Sequence, residues 1–418
     1  MCPGTNLRGR NDQFSFMTSI FQTSTQALRY DQPGGTLLGL APLMTMACNG
    51  VDLTPLGQKL LESANRNPGP ASANSFMDLA TIMQLKGNPD VAQAMQRQAL
   101  EYSQLFRLPA KAEPAVRLLA VMFPGLLSGN TPLEFLVEDS DIELTMLYIA
   151  PDLPLPESLP EHDVMFVAVG QCEQSRATLE LIETLVAIWP RPVLNLPNRI
   201  SLLSRDVSSA LLQSVPGTVM PSAVKVGRTA LGQMLGKVQF PIIIRPVDSH
   251  AGIGLIKADD LAAVSKYLAE TAGPEFFVSR FIDYRSEDGL FRKYRVAFID
   301  GRPHAGHMAI SDHWMVHYLS GGMDIRPERR SEEERFFAGF DDDFASRHHI
   351  ALQSIAERIG LDYLVMDCAE TRDGKLLIFE VDSSAVIHAM DPVEVFPYKK
   401  PQLRKVAAAF RTMLLKSR

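Results

Sequence analysis

Cysteine is scarce and scattered. The chain of 418 residues has four, Cys2, Cys48, Cys172 and Cys368, and no two form a CxxC pair. That excludes a disulfide framework, argues against a structural zinc site, and makes a reducing, cytoplasmic setting the expectation. Long apolar runs are missing as well. The most apolar early stretch, TLLGLAPLMTMACNGV, is too short and too interrupted to span a bilayer and is expected as a buried helix, so no membrane partner is expected. The opening MCPGTNLRGRNDQFSF lacks the apolar core of a secretory leader. No basic stripe stands out either: Lys and Arg are scattered among acids in a chain of formal charge -7, which leaves nucleic acid without its usual grip. What remains is ordinary for a folded soluble protein, with 46% hydrophobic and 21% charged residues. The length suggests about two to four domains.

Three textures follow one another along the chain. From about residue 15 to 108 apolar residues recur at helical spacing, with breaks at Pro33-Gly34-Gly35, Pro68-Gly69-Pro70 and Gly87-Asn88-Pro89. Within it, SFMDLATIMQLKGNPDVAQAMQRQALEYSQLF reads as two antiparallel helices joined at KGNPD, the layout of one tetratricopeptide-like hairpin. One hairpin is short of the roughly three repeats an array needs, so a helical cap or dimerisation surface is set beside a peptide-binding role. From residue 114, short and almost wholly apolar strands alternate with helices, which indicates a parallel sheet covered on both faces. This Rossmann-like unit lacks GxGxxG after its first strand, so dinucleotide binding there is not expected. Its GLLSGNTP loop lies where ligands meet open sheets, or is a plain connection. The expected division is 1–112 all-helical, 113–198 Rossmann-like, and 199–418 carrying the chemistry.

In the last unit, FPIIIRPVDSHAGIGLI places Arg245 at a strand end before a loop of small residues. A forked guanidinium and exposed backbone N–H groups suit phosphate, although a Gly-containing hairpin with an exposed Arg fits the same letters. FFVSRFID reads as a strand ending in Arg280 and Asp283, either a lobe hinge that pairs with an adenine edge or an edge strand with solvated ends. A hairpin turning at Asp300-Gly301 carries Arg292, Lys293 and Arg295, of which Lys293 and Arg295 share a face. Further on, YLVMDCAE carries Asp367, and KLLIFEVDSS presents Glu380 and Asp382 on one face. Three carboxylates gathered there would repel one another unless a divalent cation neutralised them, and oxygen-only ligation points to Mg2+ or Mn2+.

The order of these motifs resembles the ATP-grasp superfamily, especially the RimK-like and glutathione synthetase-like ligases. FPIIIRP stands for the P-x-x-x-K-P strand, SHAGIGL for the phosphate loop, FFVSRFID for the hinge strand, KYRVAFIDGRP for the R-V-x-x-x-x-G hairpin, and MDCAET with IFEVDSS for the metal carboxylates. The resemblance covers about residues 198–418, and the unit before it is similar in place and texture to a pre-ATP-grasp domain. It implies an α/β protein with an ATP-grasp fold, a preceding Rossmann-like domain and an all-α N-terminal domain. It implies ATP held by Arg205, Arg245, Ser249, Gly252, Gly254, Arg280, Phe281, Ile282 and Asp283, magnesium on Asp367, Glu380 and Asp382, and catalytic roles for Arg245, Lys293 and Arg295. Two positions depart from the family: Arg245 stands where Lys is usual and Asp382 where Asn is usual, and Arg205 is the only cation near the place of a further family Lys. The implied reaction joins a small-molecule or peptide carboxylate to an amine through an acylphosphate.

Four histidines, His304, His307, His313 and His317, suggest zinc, but the odd spacing of His304 and His307 on one strand predicts opposite faces. An acceptor site lined by Arg292, His307, Asp312 and His313 is the alternative for HMAISDHWMVHYLSGG and its surroundings. Beside the ligase stand two other readings: a degenerate ATP-binding module whose helices recruit a protein, and a kinase on the same scaffold. A homodimer fits any of them.

Overall fold

The computed structural model describes residues 36–66, 68–156, 158–234, 238–249, 252–317 and 321–418. The expected helical pattern over 15–35 with its Pro33-Gly34-Gly35 break, Cys2, and His250 and Ala251 of the small-residue loop lie outside the described residues. The protein is mixed α/β, with three sheets among the described residues. Among the described residues, helices Leu40–Cys48, Thr54–Arg66, Ala73–Leu85 and Pro89–Tyr102 come first. The last two are the expected antiparallel pair, with Pro89 opening the second, where its missing N–H is not needed. Among the described residues no helix is long and apolar enough to cross a membrane.

The helical reading up to 108 needs correction at its end. The helix stops at Tyr102, Ser103 is extended, and Leu105–Leu108 form β1, which pairs antiparallel with Leu144–Leu147 of β3. An unpaired edge of β3 supplies backbone partners that helical periodicity does not reveal. The first sheet runs β1-β3-β2-β4-β5 with β2 Val116–Met122, β3 Ile142–Tyr148, β4 Val164–Val167 and β5 Val193–Leu194, the last four mutually parallel. The N-terminal helices share its core: Phe76, Ala99 and Leu100 pack with Leu118, Leu144 and Phe166.

The second sheet is antiparallel, ordered β7-β10-β8-β9 from Ala223–Gly227, Glu275–Arg280, Ile242–Pro246 and Ile256–Ala258. It has its own small core around Leu231, Ile244, Val264 and Phe276. The third runs β12-β11-β13-β14-β6, from Arg302–Ser311, Phe291–Ile299, Tyr363–Glu370, Leu376–Asp382 and Thr218–Val219. The β11–β12 hairpin turns at Asp300 and Gly301, both with positive φ (50° and 73°), as a two-residue type I′ turn demands.

Candidate active site

Two bulges align the chemistry of the third sheet. Across β12, β11, β13 and β14, His307 pairs with Arg295, Arg295 with Asp367, and Asp367 with Glu380. These four side chains therefore form one row on one face, and Asp382, opposite Val365, stands on the same face one pair further. The register shifts at Arg295/Val296, where Gly306 is the extra residue, and at Asp367/Cys368, where Phe379 is. Gly306 also lets the strands close up: a Cβ there would lie 2.7 Å from the Ile387 Cδ1 and 3.0 Å from the Arg295 carbonyl oxygen. The bulge overturns the expectation for the histidines, because His304 pairs with Ala297 and His307 with Arg295, which places both on one face.

Asp367, almost fully buried, is gripped by two cations. Arg295 donates from Nε to Oδ1 at 2.7 Å and from Nη2 to Oδ2 at 2.9 Å, and Lys293 donates to Oδ2 at 2.8 Å. Arg295 is itself fixed by Nη1 on the Val386 carbonyl at 2.9 Å. Burial would raise the Asp367 carboxyl, yet the Arg295 and Lys293 charges hold it well below its ordinary value. Glu380 is matched in the same way. Arg205, at the start of helix Arg205–Leu212, donates to its Oε2, and Arg245 of β8 stands 4.0 Å from the same oxygen. Burial again works against ionisation, and the Arg205 and Arg245 charges outweigh it, so Glu380 sits at about 2. Asp367 and Glu380 are thus neutralised by protein cations rather than left to repel one another.

Arg245 faces the third sheet from the second. Its Nε donates to the Ser249 Oγ at 3.1 Å and its Nη2 to the Ser249 carbonyl, so arginine and loop are one unit. Burial, then the neighbouring Arg205 guanidinium, lowers it to about 10. Two guanidiniums held against each other form a place where an anion is stabilised. Gly252 and Gly254 both have positive φ (76° and 67°), and a Cβ on Gly254 would strike the Pro246 ring at 2.8 Å.

The hinge residues divide. Arg280 ends β10 exposed, while the Phe281 N–H already donates to the Pro241 carbonyl at 3.0 Å and its ring meets Trp314 edge to face. Phe281 therefore has no free amide for an adenine edge. Ile282 is half-buried against the cluster that holds Tyr284 and Phe291, and Asp283 accepts from the Arg285 N–H at 3.1 Å. Lys257 of β9, which the sequence reading passed over, lies 4.9 Å above the Phe281 ring.

The expected acceptor set does not assemble. Arg292 points to the opposite face of β11 from Lys293 and Arg295, paired with Asp288 at 2.7 Å and with Glu332. Strand alternation alone forbids it a place in the row. Asp312 is exposed and bound by Arg329 at 2.7 Å, and His313 leans on Trp314. His307 does belong, together with His317 and His388. Burial and the nearby cations, Arg295 first at His307, Lys293 first at His317, and Arg295 at His388, lower all three, His388 to about 4. No pattern in the sequence singles out His388, which lies in the loop after β14. Among the described residues no three His, Cys, Asp or Glu side chains close around a point as metal ligands. The donor chemistry of Asp367, Glu380 and Asp382 suits a hard cation, but Asp367 is occupied by Arg295 and Lys293.

No family model matches the sequence, and no curated protein matches it. Among solved structures the chain is similar to the VanG D-Ala:D-Ser ligase from Enterococcus faecalis, at 12% identity over 72% of this chain and 99% of that one, with a TM-score of 0.44. It is also similar to a D-alanine--D-alanine ligase from Bacillus anthracis complexed with ATP, at 14% identity over 72% of this chain and 98% of that one, TM-score 0.42. A third is a RimK domain ATP-grasp protein from Sphaerobacter thermophilus, at 14% identity over 71% of this chain and 99% of that one, TM-score 0.42.

Proposed function

We propose that the chain is an ATP-dependent carboxylate-amine ligase that forms an amide through an acylphosphate and releases ADP and phosphate. The observation that carries this reading is the convergence of Arg205, Arg245, Lys293 and Arg295 on the acids of one sheet face, with Arg245 tied to a small-residue loop. Phosphate oxygens and these carboxylates compete for the same donors. An incoming triphosphate takes Arg205 and Arg245 through forked hydrogen bonds and draws on Lys293 and Arg295. The released oxygens of Asp367, Glu380 and Asp382 are then the donors that would hold Mg2+ or Mn2+, which supplies charge neutralisation to the phosphate chain. A substrate carboxylate oxygen attacks the γ-phosphorus and ADP leaves. Arg295, anchored by Val386, steadies the charge of the transferred group. The amine then attacks the carbonyl carbon, phosphate departs, and the amine proton passes to phosphate or solvent.

The test is nucleotide turnover by the purified chain with magnesium and pooled amino acids, short peptides and metabolite extract, with products identified by mass spectrometry. ADP together with a condensed amide is the expected result, and Asp367→Asn should abolish it in a chain that still folds. A phosphorylated product that needs no amine would replace the ligase with a kinase. One observation favours a second reading: each of Asp367 and Glu380 already has a cationic partner, as in a binding module that has no turnover. Tight ATP binding without ADP in any pool would establish that reading, with the N-terminal helices as the surface that recruits a protein.

A further inference from the structure

A second polar cluster lies away from the row of acids, at the seam between the N-terminal helices and the carboxyl ends of β2 and β3. A cavity of about 50 Å3 lies there, walled by apolar side chains that include Met77, Met122, Met146 and Tyr148. Two carboxyls enter this space, Asp78 from helix Ala73–Leu85 and Glu134 from the short helix Glu134–Val137. Asp78 accepts from the Leu38 and Gly39 amides at 2.9 Å each, and Glu134 accepts from the Ala41 amide at 3.1 Å. Neither has a cationic partner among the described residues, unlike the buried Asp367 and Glu380. A buried acid without a counter-charge is costly, and burial pushes Asp78 up to about 6 and Glu134 up to about 7. Thr131 lines the same space, is fully buried, and its hydroxyl has no hydrogen-bond partner. An orphaned buried hydroxyl is destabilising unless a ligand or water meets it.

We propose that this seam is a binding site for a small primary amine with an apolar body, its ammonium group received by Glu134, Asp78 and the Thr131 hydroxyl and its carbon skeleton by the methionine-lined wall. An ammonium has three donors and one positive charge, which match two uncompensated carboxyls and one free acceptor. Methionines adapt to irregular apolar shapes, which suits the wall to such a body. The site is separate from the row of acids but one loop away from it. Thr131 donates its N–H to the Ala168 carbonyl, Gly170 donates to the Gly129 carbonyl, and Gly170 lies against Ser384, two residues beyond Asp382.

The experiment is calorimetric titration of the full chain with propylamine and, in parallel, with 1-propanol, its neutral isostere. It needs no nucleotide and no turnover, so it stands apart from the ligase assay. Saturable 1:1 binding of the amine is expected, with the alcohol weaker by about tenfold or more, the worth of one charged hydrogen bond. Glu134→Gln should weaken the amine to a similar degree. Thr131→Val removes only an unpartnered hydroxyl, so it should keep or raise thermal stability while weakening the amine. Equal binding of amine and alcohol, no amine binding, or amine binding untouched by both substitutions would overturn the proposal.

Discussion

Asp367 is stable as an anion inside the protein only because Arg295 and Lys293 hold it at 2.7–2.9 Å. Neutralising it leaves two cations facing each other in a buried space. Asp367→Asn is therefore expected to destabilise by about 3 kcal/mol, read from denaturant midpoints, as breaking a buried pair usually does. Glu380 sets a pH dependence of definite sign. Its carboxyl is held at about 2 against an ordinary 4.5, so its contribution is complete above about pH 4.5 and is lost as pH falls towards 2. Glu380→Gln should flatten stability over that window, as followed by circular dichroism during acid titration. Glu134 acts oppositely. With its carboxyl at about 7, its contribution is complete below pH 4.5 and is lost as pH rises through 7. Glu134→Gln should therefore gain on the unmodified chain in melting temperature between pH 5 and pH 8.

At the scale of the strand, alternation made some of the site readable and hid the rest. Lys293 and Arg295, or Glu380 and Asp382, share a face because they are two residues apart, and Arg292 is excluded by the same rule. Each bulge breaks the rule locally. One extra residue at Gly306 turns an odd spacing into a shared face for His304 and His307, and nothing in the letters PHAGHMAI announces it beyond an isolated glycine. The glycine is where the element is most vulnerable. Gly306→Ala puts a methyl group against Ile387 and the Arg295 backbone and side chain, at 2.7–3.1 Å. A loss of about 1–3 kcal/mol is expected from such overpacking. Because Arg295 must give way, turnover should fall more than the loss of folded protein explains, which a comparison of melting curves with kcat would detect.

Across the whole molecule, shared hydrophobic cores and a few buried polar contacts fix how the units meet. Asn195, after β5, donates from Nδ2 to the Tyr363 carbonyl at 2.9 Å and accepts from the Tyr363 N–H at 2.8 Å, while its own N–H donates to Asp362 at 2.7 Å. One fully buried side chain thereby joins the first sheet to β13, the strand that carries Asp367. Asn195→Ala orphans two backbone groups and should cost about 2 kcal/mol or more. The expected signature is a lower midpoint in a single unfolding transition, since the two sheets share their hydrophobic cores. The second sheet is joined more lightly: Lys225 of β7 meets Glu173 at 2.8 Å, and Asp248 accepts from the Glu173 N–H at 3.1 Å.

The linear order of residues determined the alternation of helices and strands, the hairpin at Asp300-Gly301, and the presence of cations and acids on particular strand faces, because these follow from periods of 3.6 and 2 and from turn chemistry. Tertiary structure alone decided that β1 completes a sheet, that Arg205 and Arg245 meet Glu380 from separate elements, that His388 approaches Arg295, and that Asp78 and Glu134 share a cavity without a counter-charge. Those are contacts between residues dozens to more than a hundred positions apart, and only packing of the sheets and helices brings them within the few ångströms over which charge and hydrogen bonding act.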